Sequence, residues 1–581
     1  MRTVKLSRSL SKSFIVNGVL IAVGMCVRVY YALIGRPLWI DESALALSIS
    51  ARSHSQLLRP LDYDQAAPLG YLWATRSALD VFGVGDRSLR SVALLASCLT
   101  LVVLWHAGRR VLGTLGATIA VGLAIFAPTL VYYANEVKPY SSDALIAVML
   151  LLLAQLVIAC PRWDRVAALC LGGVLSVWLS APAVFVLAGI GCVLLGSALL
   201  AKDGRRTAIG ALCGILWLAS FIGAYEISYA RASKSAYMQD FWGRAFLSVK
   251  GIPEVVESAD IVATVFWSSL IDPNSGPLFL AGLKFAFALV AIALMQQGFK
   301  FIREARSSEH AWLLVAPALV VSVSSLGGFY PIASRLLLFL VPFGLLLIAG
   351  GMMRVTRAAS MRHRTFILMV IATALPLAGA GAQSRWAVRS PRWGDTQEVI
   401  QFLMRRDDQD PVYIYSRGVP SYAFYTTNWE NPDLARLQRI HELVGPETRG
   451  FENAIGRGRE VRDEGDSLVV AGPRGCELLG LPTGMRWRHR SGFSQTSPDL
   501  GWAANEASRI ERVARPGVWL IFIHYIDNAD VLLLGELENR GGKRTAELAR
   551  HHTALYRYEF THFANGGLNE VRGCASGGDS I

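Results

Sequence analysis

Apolar residues in this chain fall in long unbroken runs rather than at helical or alternating spacing. Eleven runs approach the ~20 residues that a helix needs to cross a bilayer. They are Phe14–Leu33, Arg90–His106, Leu115–Tyr132, Ser142–Ala159, Val166–Leu179, Ala183–Leu200, Ala208–Ile227, Leu278–Gln296, Ala311–Leu326, Leu336–Met352 and Phe366–Ala380. The fifth is short, and Ser180-Ala181-Pro182 after it predicts a tight turn between two helices. Beyond about Ala380 short apolar runs alternate with polar ones. Pro411–Tyr415, Ser467–Ala471 and Gly517–His524 predict strands, while Asp395–Arg405 and Asp530–Asn539 predict helices. The expected architecture is a polytopic α-helical membrane domain of about eleven spans, residues 1–382, followed by an α/β domain, residues 383–581.

Charge fixes the expected orientation. Lys and Arg exceed Asp and Glu by 57 to 44, for a formal net charge of +13. Counted from a cytoplasmic N-terminus, the inner segments carry Arg2, Lys5, Arg8, Lys12, Arg109, Arg110, Arg162, Arg165, Lys202, Arg205, Arg206, Lys300, Arg303, Arg306, Arg354, Arg357, Arg362 and Arg364. The short outer loops, Ala134–Ser141, Ser180–Pro182 and Gly327–Ser334, carry Lys138 alone. This is the positive-inside pattern, and an odd number of spans then exports everything after Gln383. The basic N-terminus and the run behind it resemble a signal peptide. The run's length, Arg28 within it and the lack of a small-residue cleavage site before Pro37 make it a retained first span. Multi-pass insertion in the inner or plasma membrane follows, among membrane lipids and with an extracytoplasmic C-terminal domain.

Composition narrows the function. The chain is 53% hydrophobic and 17% charged, with mean hydropathy +0.38. Its arginines sit between apolar runs, and no basic tail suggests nucleic acid. Six cysteines lie in or beside the runs, leaving Cys476 and Cys574 as a possible disulfide pair in an exported domain. No Cys/His spacing indicates a metal site. Two outer loops are long, Gly35–Leu89 and Ser228–Pro277; the first mixes Trp39, Leu57, Leu58, Tyr71, Leu72 and Trp73 with charges, as interfacial helices do.

Three outer-face motifs concentrate chemistry. Pro37-Leu38-Trp39-Ile40-Asp41-Glu42 places two carboxylates just past the first span. A random Asp-Glu pair is normally a solvated loop, but the apolar flanks argue for a partly desolvated cleft, which suits a general base. Tyr132–Asp143 gathers Glu136, Lys138, Tyr140 and Asp143; an aromatic belt with a neutralising ion pair is the structural alternative. Tyr330–Arg335 opens the tenth run, where Arg335 either snorkels or clamps a lipid phosphate. Arg28 needs a partner inside the bundle. Tyr422–Tyr425 and Trp519–His524 suit either a sugar surface or an α/β core.

Arg28, the Pro37–Glu42 motif, Asp64-Gln65-Ala66-Ala67-Pro68-Leu69-Gly70-Tyr71, Asp86-Arg87-Ser88-Leu89-Arg90 and Glu136-Val137-Lys138-Pro139-Tyr140 together resemble the GT-C membrane glycosyltransferases. The branch is that of protein O-mannosyltransferases, lipid A aminoarabinose transferase and related polyprenyl-phosphate-sugar transferases. The likeness is good over Ile15 to about Leu200 and looser to Arg335. It implies a polyprenyl-phosphate-sugar donor and a cell-envelope acceptor (glycan, lipid or protein). It further implies Asp41 with Glu42 as catalytic carboxylates, Lys138 and Arg335 on the donor phosphate, and Glu136, Tyr140, Asp64 and Tyr71 in support. A divalent cation, Mg or Mn, would find ligands in Asp41, Glu42 or Glu136. Lys138 stands where many relatives have Arg, and Asp64–Pro68 lacks a common Pro-Pro pair. Two other readings are open: an O-antigen polymerase or ligase using diphosphate-linked glycans, and a non-enzymatic lipid or glycan transporter. Outer-face acids, the absence of a repeat and the large exported domain favour the enzyme over the transporter.

Overall fold

The computed structural model describes residues 2–63, 65–234, 242–271, 281–358, 395–444, 469–473, 475–479, 500–514, 517–523, 529–549 and 553–560. Its contacts divide the chain into two units. One comprises Met1–Ile34, Ala67–Arg231 and Trp242–Arg389; the other comprises Gly35–Ala66, Ala232–Phe241 and Ser390–Ile581. The start of the first outer loop thus groups with the C-terminal region. The domain boundary expected near residue 383 lies outside the described residues.

The first unit is helical. It contains α1 (Arg2–Ile34), α3 (Leu69–Phe82), α4 (Asp86–Phe126), α5 (Pro128–Tyr132), α6 (Tyr140–Ala159), α7 (Trp163–Leu179), α8 (Ala183–Leu200), α9 (Gly204–Ser228), α10 (Ile252–Leu270), α11 (Ala281–Ala305), α12 (Ser308–Leu326) and α13 (Val341–Ala358). Among the described residues eight helices are long and apolar enough to span a membrane. Nine of the eleven expected runs fall mainly in these eight helices, because α4 holds two of them; the run expected to Tyr132 breaks after Phe126, and residues 278–280 of another lie outside the described residues. The run Val166–Leu179 falls in the 17-residue α7, and Phe366–Ala380 lies outside the described residues. The α4 helix reverses at Gly113, whose φ of +74° an L side chain rarely adopts. A straight helix would separate residues 108 and 117 by about 13 Å. Instead a Cβ built on Gly108 would sit 3.2 Å from Ala117 Cα, so the two arms pack against each other.

Lipid is the solvent this unit requires. In α9 the most apolar window has mean hydropathy 1.9 yet only 11% of it is buried inside the protein. Leu200, Ile215, Leu289 and Val323 are all more than 60% exposed. Small residues fill the helix contacts instead, as expected where apolar burial gives no advantage over lipid. A Cβ on Gly298 would meet Leu347 O at 1.8 Å, and one on Gly351 would meet Leu294 O at 2.0 Å. The α11–α13 contact therefore depends on bare backbone. Arg28, buried in α1, donates to Ser97 Oγ at 2.7 Å and to the carbonyls of Gly24 at 3.0 Å and Ala124 at 3.2 Å. It pins α1 to both arms of α4, a structural use of an intramembrane cation.

Two boundaries differ from the sequence reading. The long loop Ser228–Pro277 contains α10, whose Glu254, Glu257 and Asp260 break the apolar run that would have marked it. The tenth run begins as a helix at Val341 after a 3₁₀ turn, Leu338–Leu340, rather than at Leu336. Pro342 explains the shift: it fits the first turn of a helix but would break one begun six residues earlier.

Among the described residues the second unit carries a six-stranded sheet. Its strands are β1 (Val412–Ile414), β2 (Val469–Gly472), β3 (Gly475–Leu479), β4 (Gly517–Ile523), β5 (Gly542–Ala549) and β6 (Thr553–Phe560). They run in the order β2-β3-β1-β4-β6-β5, with β1 parallel to β3 and β4 and the other pairs antiparallel. The helices α2 (Ile40–Ala51), α14 (Asp395–Met404), α15 (Val419–Thr426), α16 (Leu434–Val444), α17 (Leu500–Val513) and α18 (Ala529–Asn539) accompany it. Every residue of β4 is buried, as a central strand requires. Enclosed ion pairs lie beside the sheet. Arg436 chelates Glu477, which also accepts from Tyr422 Oη at 3.0 Å, and Arg509 pairs with Glu506, which accepts from Tyr413 Oη at 2.7 Å. Tyr422 and Trp519 are thus core residues. His524 and Cys574 lie outside the described residues.

Candidate functional site

The expected site residues divide between the two units. Asp41 and Glu42 belong to the second; Tyr71, Glu136, Lys138, Tyr140 and Arg335 belong to the first. Asp64 lies outside the described residues.

The first motif owes its shape to Gly35, whose φ of +66° turns the chain as it leaves α1. Arg36, Pro37 and Leu38 then run buried and extended to Trp39, the N-cap of α2. Asp41 and Glu42 become the second and third residues of that helix, where carboxylates oppose the positive end of the helix dipole. Their environments differ sharply. Glu42 is fully buried; its Oε2 accepts from Arg36 Nη1 at 2.6 Å and from the Trp39 backbone amide at 3.0 Å. That is the backward half of a capping box plus a buried ion pair. Asp41, one residue earlier, is half-exposed. The helix behind them is held within its own unit by Ser43 Oγ against Ser421 Oγ at 2.8 Å and by the Leu38 amide donating to Tyr425 Oη at 2.8 Å. Tyr425 therefore serves to fix the segment that carries the acids.

The second motif is enclosed. Pro128 opens α5, a 3₁₀ turn Tyr133–Asn135 follows, and the chain enters α6 at Tyr140. Glu136 and Lys138 are 6% and 8% exposed, so they form no solvated belt pair. The Lys138 amide donates to Glu136 O at 2.8 Å, and Ser141 Oγ donates to Tyr133 O at 2.8 Å, closing the loop on itself. Tyr133 stacks edge-on with Tyr132 and Tyr140 at 4.8 and 5.1 Å. Burial pushes the Tyr133 hydroxyl well above its ordinary range; Glu136, Tyr132 and Tyr140 push it further and Arg335 pulls it back. Glu136, Tyr140 and Arg335 are thus electrostatic neighbours of one phenol. Tyr71, on α3, is 1% exposed.

Arg335 sits in the turn before α13 with its guanidinium 5.0 Å from the Trp242 ring centre. The turn is braced: Tyr330 Oη donates to Leu336 O at 3.0 Å, and the Ile332 amide donates to Ala245 O at 2.6 Å. On either side of Arg335, Ile332 and Leu337 line an apolar cavity of about 210 Å³ that continues past Leu247, Leu270 and Met295 into the bundle. The sequence reading named neither Trp242 nor α10 as part of this region. Asp143, counted in the Glu136 motif but given no specific role there, is buried at the start of α6 with Ser180, Tyr229 and Tyr330 as neighbours.

Among the described residues no three His, Cys, Asp or Glu side chains come together as a metal group. Glu42 fits a cation poorly, because the Arg36 guanidinium already occupies its oxygen.

Neither a protein-family model nor a curated protein matches the chain by sequence. Solved structures do match. ArnT from Cupriavidus metallidurans in the apo state aligns at TM-score 0.52 and 12% identity, over 94% of this chain and 98% of that one. The same protein bound to undecaprenyl phosphate aligns at 0.45 and 15%, over 93% and 97%. The Archaeoglobus fulgidus oligosaccharyltransferase in complex with Zn and sulfate aligns at 0.48 and 12%, over 93% and 88%. The first alignment establishes a shared fold across nearly the whole of both chains.

Proposed function

We propose that this protein is an integral-membrane glycosyltransferase that moves a sugar from a polyprenyl-monophosphate carrier to a cell-envelope acceptor at the outer membrane face. The observation that carries the reading is the juxtaposition of charge and apolar space in the helical unit. Ile332 and Leu337, flanking Arg335, line an apolar cavity that could take part of a prenyl chain, and Arg335 shares Tyr133 as an electrostatic neighbour with Glu136 of the enclosed Glu136–Lys138 loop. A carrier lipid needs both features, an apolar sleeve for its tail and fixed cations for its phosphate.

In this reading Asp41 accepts the proton of the acceptor hydroxyl as that oxygen bonds to the anomeric carbon. The anomeric C–O bond to phosphate breaks with oxocarbenium character, and one direct displacement inverts the centre. The electron pair leaves with the polyprenyl phosphate as a dianion, which needs no proton and is stabilised by Lys138 and Arg335. Glu42 holds the α2 N-terminus and so positions Asp41. The loop charges support a cytoplasmic N-terminus and an extracytoplasmic C-terminal unit.

The test is incubation of the purified protein with a polyprenyl-phosphate-linked sugar and an envelope extract. Asp41-dependent release of polyprenyl monophosphate supports the proposal. Activity only with diphosphate-linked glycans would replace it by the polymerase or ligase reading.

A further inference from the structure

A second, larger cavity lies at the other end of α12 from the Arg335 turn. Trp312, in the wall of this cavity, is 14 residues and so about 21 Å from the end of that helix that leads to the turn. The cavity measures about 410 Å³, and its wall differs in kind from the first. Gln296, Lys300 and Arg303 project from one face of α11 at i, i+4 and i+7 spacing, and Trp312 faces them from the first turns of α12. Phe266 and Met295 line both cavities, so the two share an apolar wall.

The charge at this end is unbalanced. Neither Lys300 nor Arg303 forms an ion pair among the described residues, and no acid lines the cavity. Glu304, the nearest carboxylate in sequence, pairs directly with Arg354, and Arg303 and Lys300 act on it only as neighbouring charges. Lys300, Arg303 and Trp312 are all exposed, so the opening faces outward from the helical unit. A loop-charge bias accounts for cations at a helix end but requires no cavity around them. Two cations beside an indole, backed by an apolar wall of Phe266, Ile292, Met295 and Leu347, match an amphiphile with an anionic head.

We propose that this cavity is a binding site for an anionic phospholipid. Its phosphate is held by Lys300 and Arg303, and one acyl chain runs along Phe266 and Met295. Zwitterionic phospholipids carry the same phosphate with a compensating cation and bind more weakly. Each cation near a membrane surface strengthens the binding of an anionic lipid about fivefold, so the pair confers a preference on the order of 30-fold.

The full-length protein, reconstituted in phosphatidylcholine nanodiscs doped with phosphatidylglycerol, is released for native mass spectrometry and its bound lipids are counted. Retention of phosphatidylglycerol over phosphatidylcholine, with about 30-fold lower occupancy in K300A/R303A, supports the proposal. Equal retention of both lipids, or unchanged occupancy in the variant, overturns it. Addition of inorganic phosphate separates the two sources of a phosphate group: displacement of the lipid by millimolar phosphate would show a free-anion site and overturn the lipid assignment. K300Q alone, at an exposed position, supplies the same readout with about a fivefold loss if the double variant does not purify.

Discussion

Replacing Glu42 by Ala separates the two neighbouring carboxylates by what each does. Glu42 is fully buried, Arg36 is 7% exposed, and the 2.6 Å contact between them is backed by the Trp39 amide at 3.0 Å. Removing one partner of a buried ion pair costs about 3–5 kcal/mol, because the other charge stays desolvated. The lost cap bond alone would be about 1 kcal/mol, but it belongs to the same network and does not add in full. Glu42→Ala should therefore destabilise the second unit by about 3–5 kcal/mol, a roughly hundred- to several-thousand-fold change in its folding equilibrium. Asp41→Asn is nearly isosteric at a half-exposed position and should stay within about 0.5 kcal/mol of the parent. The assay is denaturant and thermal unfolding of the solubilised protein, followed in parallel with transfer activity. A Glu42→Ala protein as stable as the parent yet inactive would refute the argument and make Glu42 a chemical participant. An Asp41→Asn protein that unfolds early would refute it from the other side.

Other expectations follow from the same geometry. Lys138→Ala and Arg335→Ala should each weaken donor use by about 1.5–3 kcal/mol, the worth of a charge-assisted hydrogen bond, read as a 10- to 100-fold loss of kcat/KM. Gly351→Ala places a methyl group 2.0 Å from Leu294 O and should lower stability by about 1–3 kcal/mol, measured as a fall in melting temperature. Glu477→Ala strands the buried Arg436 and should cost about 3–5 kcal/mol in the same assay, whereas replacing both residues by apolar ones should cost markedly less.

Much of this was legible in the sequence because the membrane simplifies the code. Long apolar runs and loop charges announced the helices, and Arg28 announced its need for a buried partner. Three strands and two helices of the C-terminal unit were read correctly from local pattern. What escaped were features that depend on contacts distant along the chain. The α10 helix carries three acids and so reads as a loop, although it packs on α11 and lines the cavity. Strands β5 and β6 pair with each other, and the polar face of β5 hides it. At the site, the adjacency of Asp41 and Glu42 suggested shared chemistry; only the structure reveals that Arg36, six residues before Glu42, claims one of the two. Trp242 beside Arg335 joins residues 93 positions apart, which no local motif can convey.

The most direct measurement is mass spectrometry of polyprenyl-linked sugars in cells that carry the Asp41→Asn protein in place of the native one. If the protein consumes a polyprenyl-monophosphate sugar, that species accumulates while the corresponding cell-surface glycan is lost. Accumulation of a diphosphate-linked glycan instead, or no change in either pool, would contradict the account.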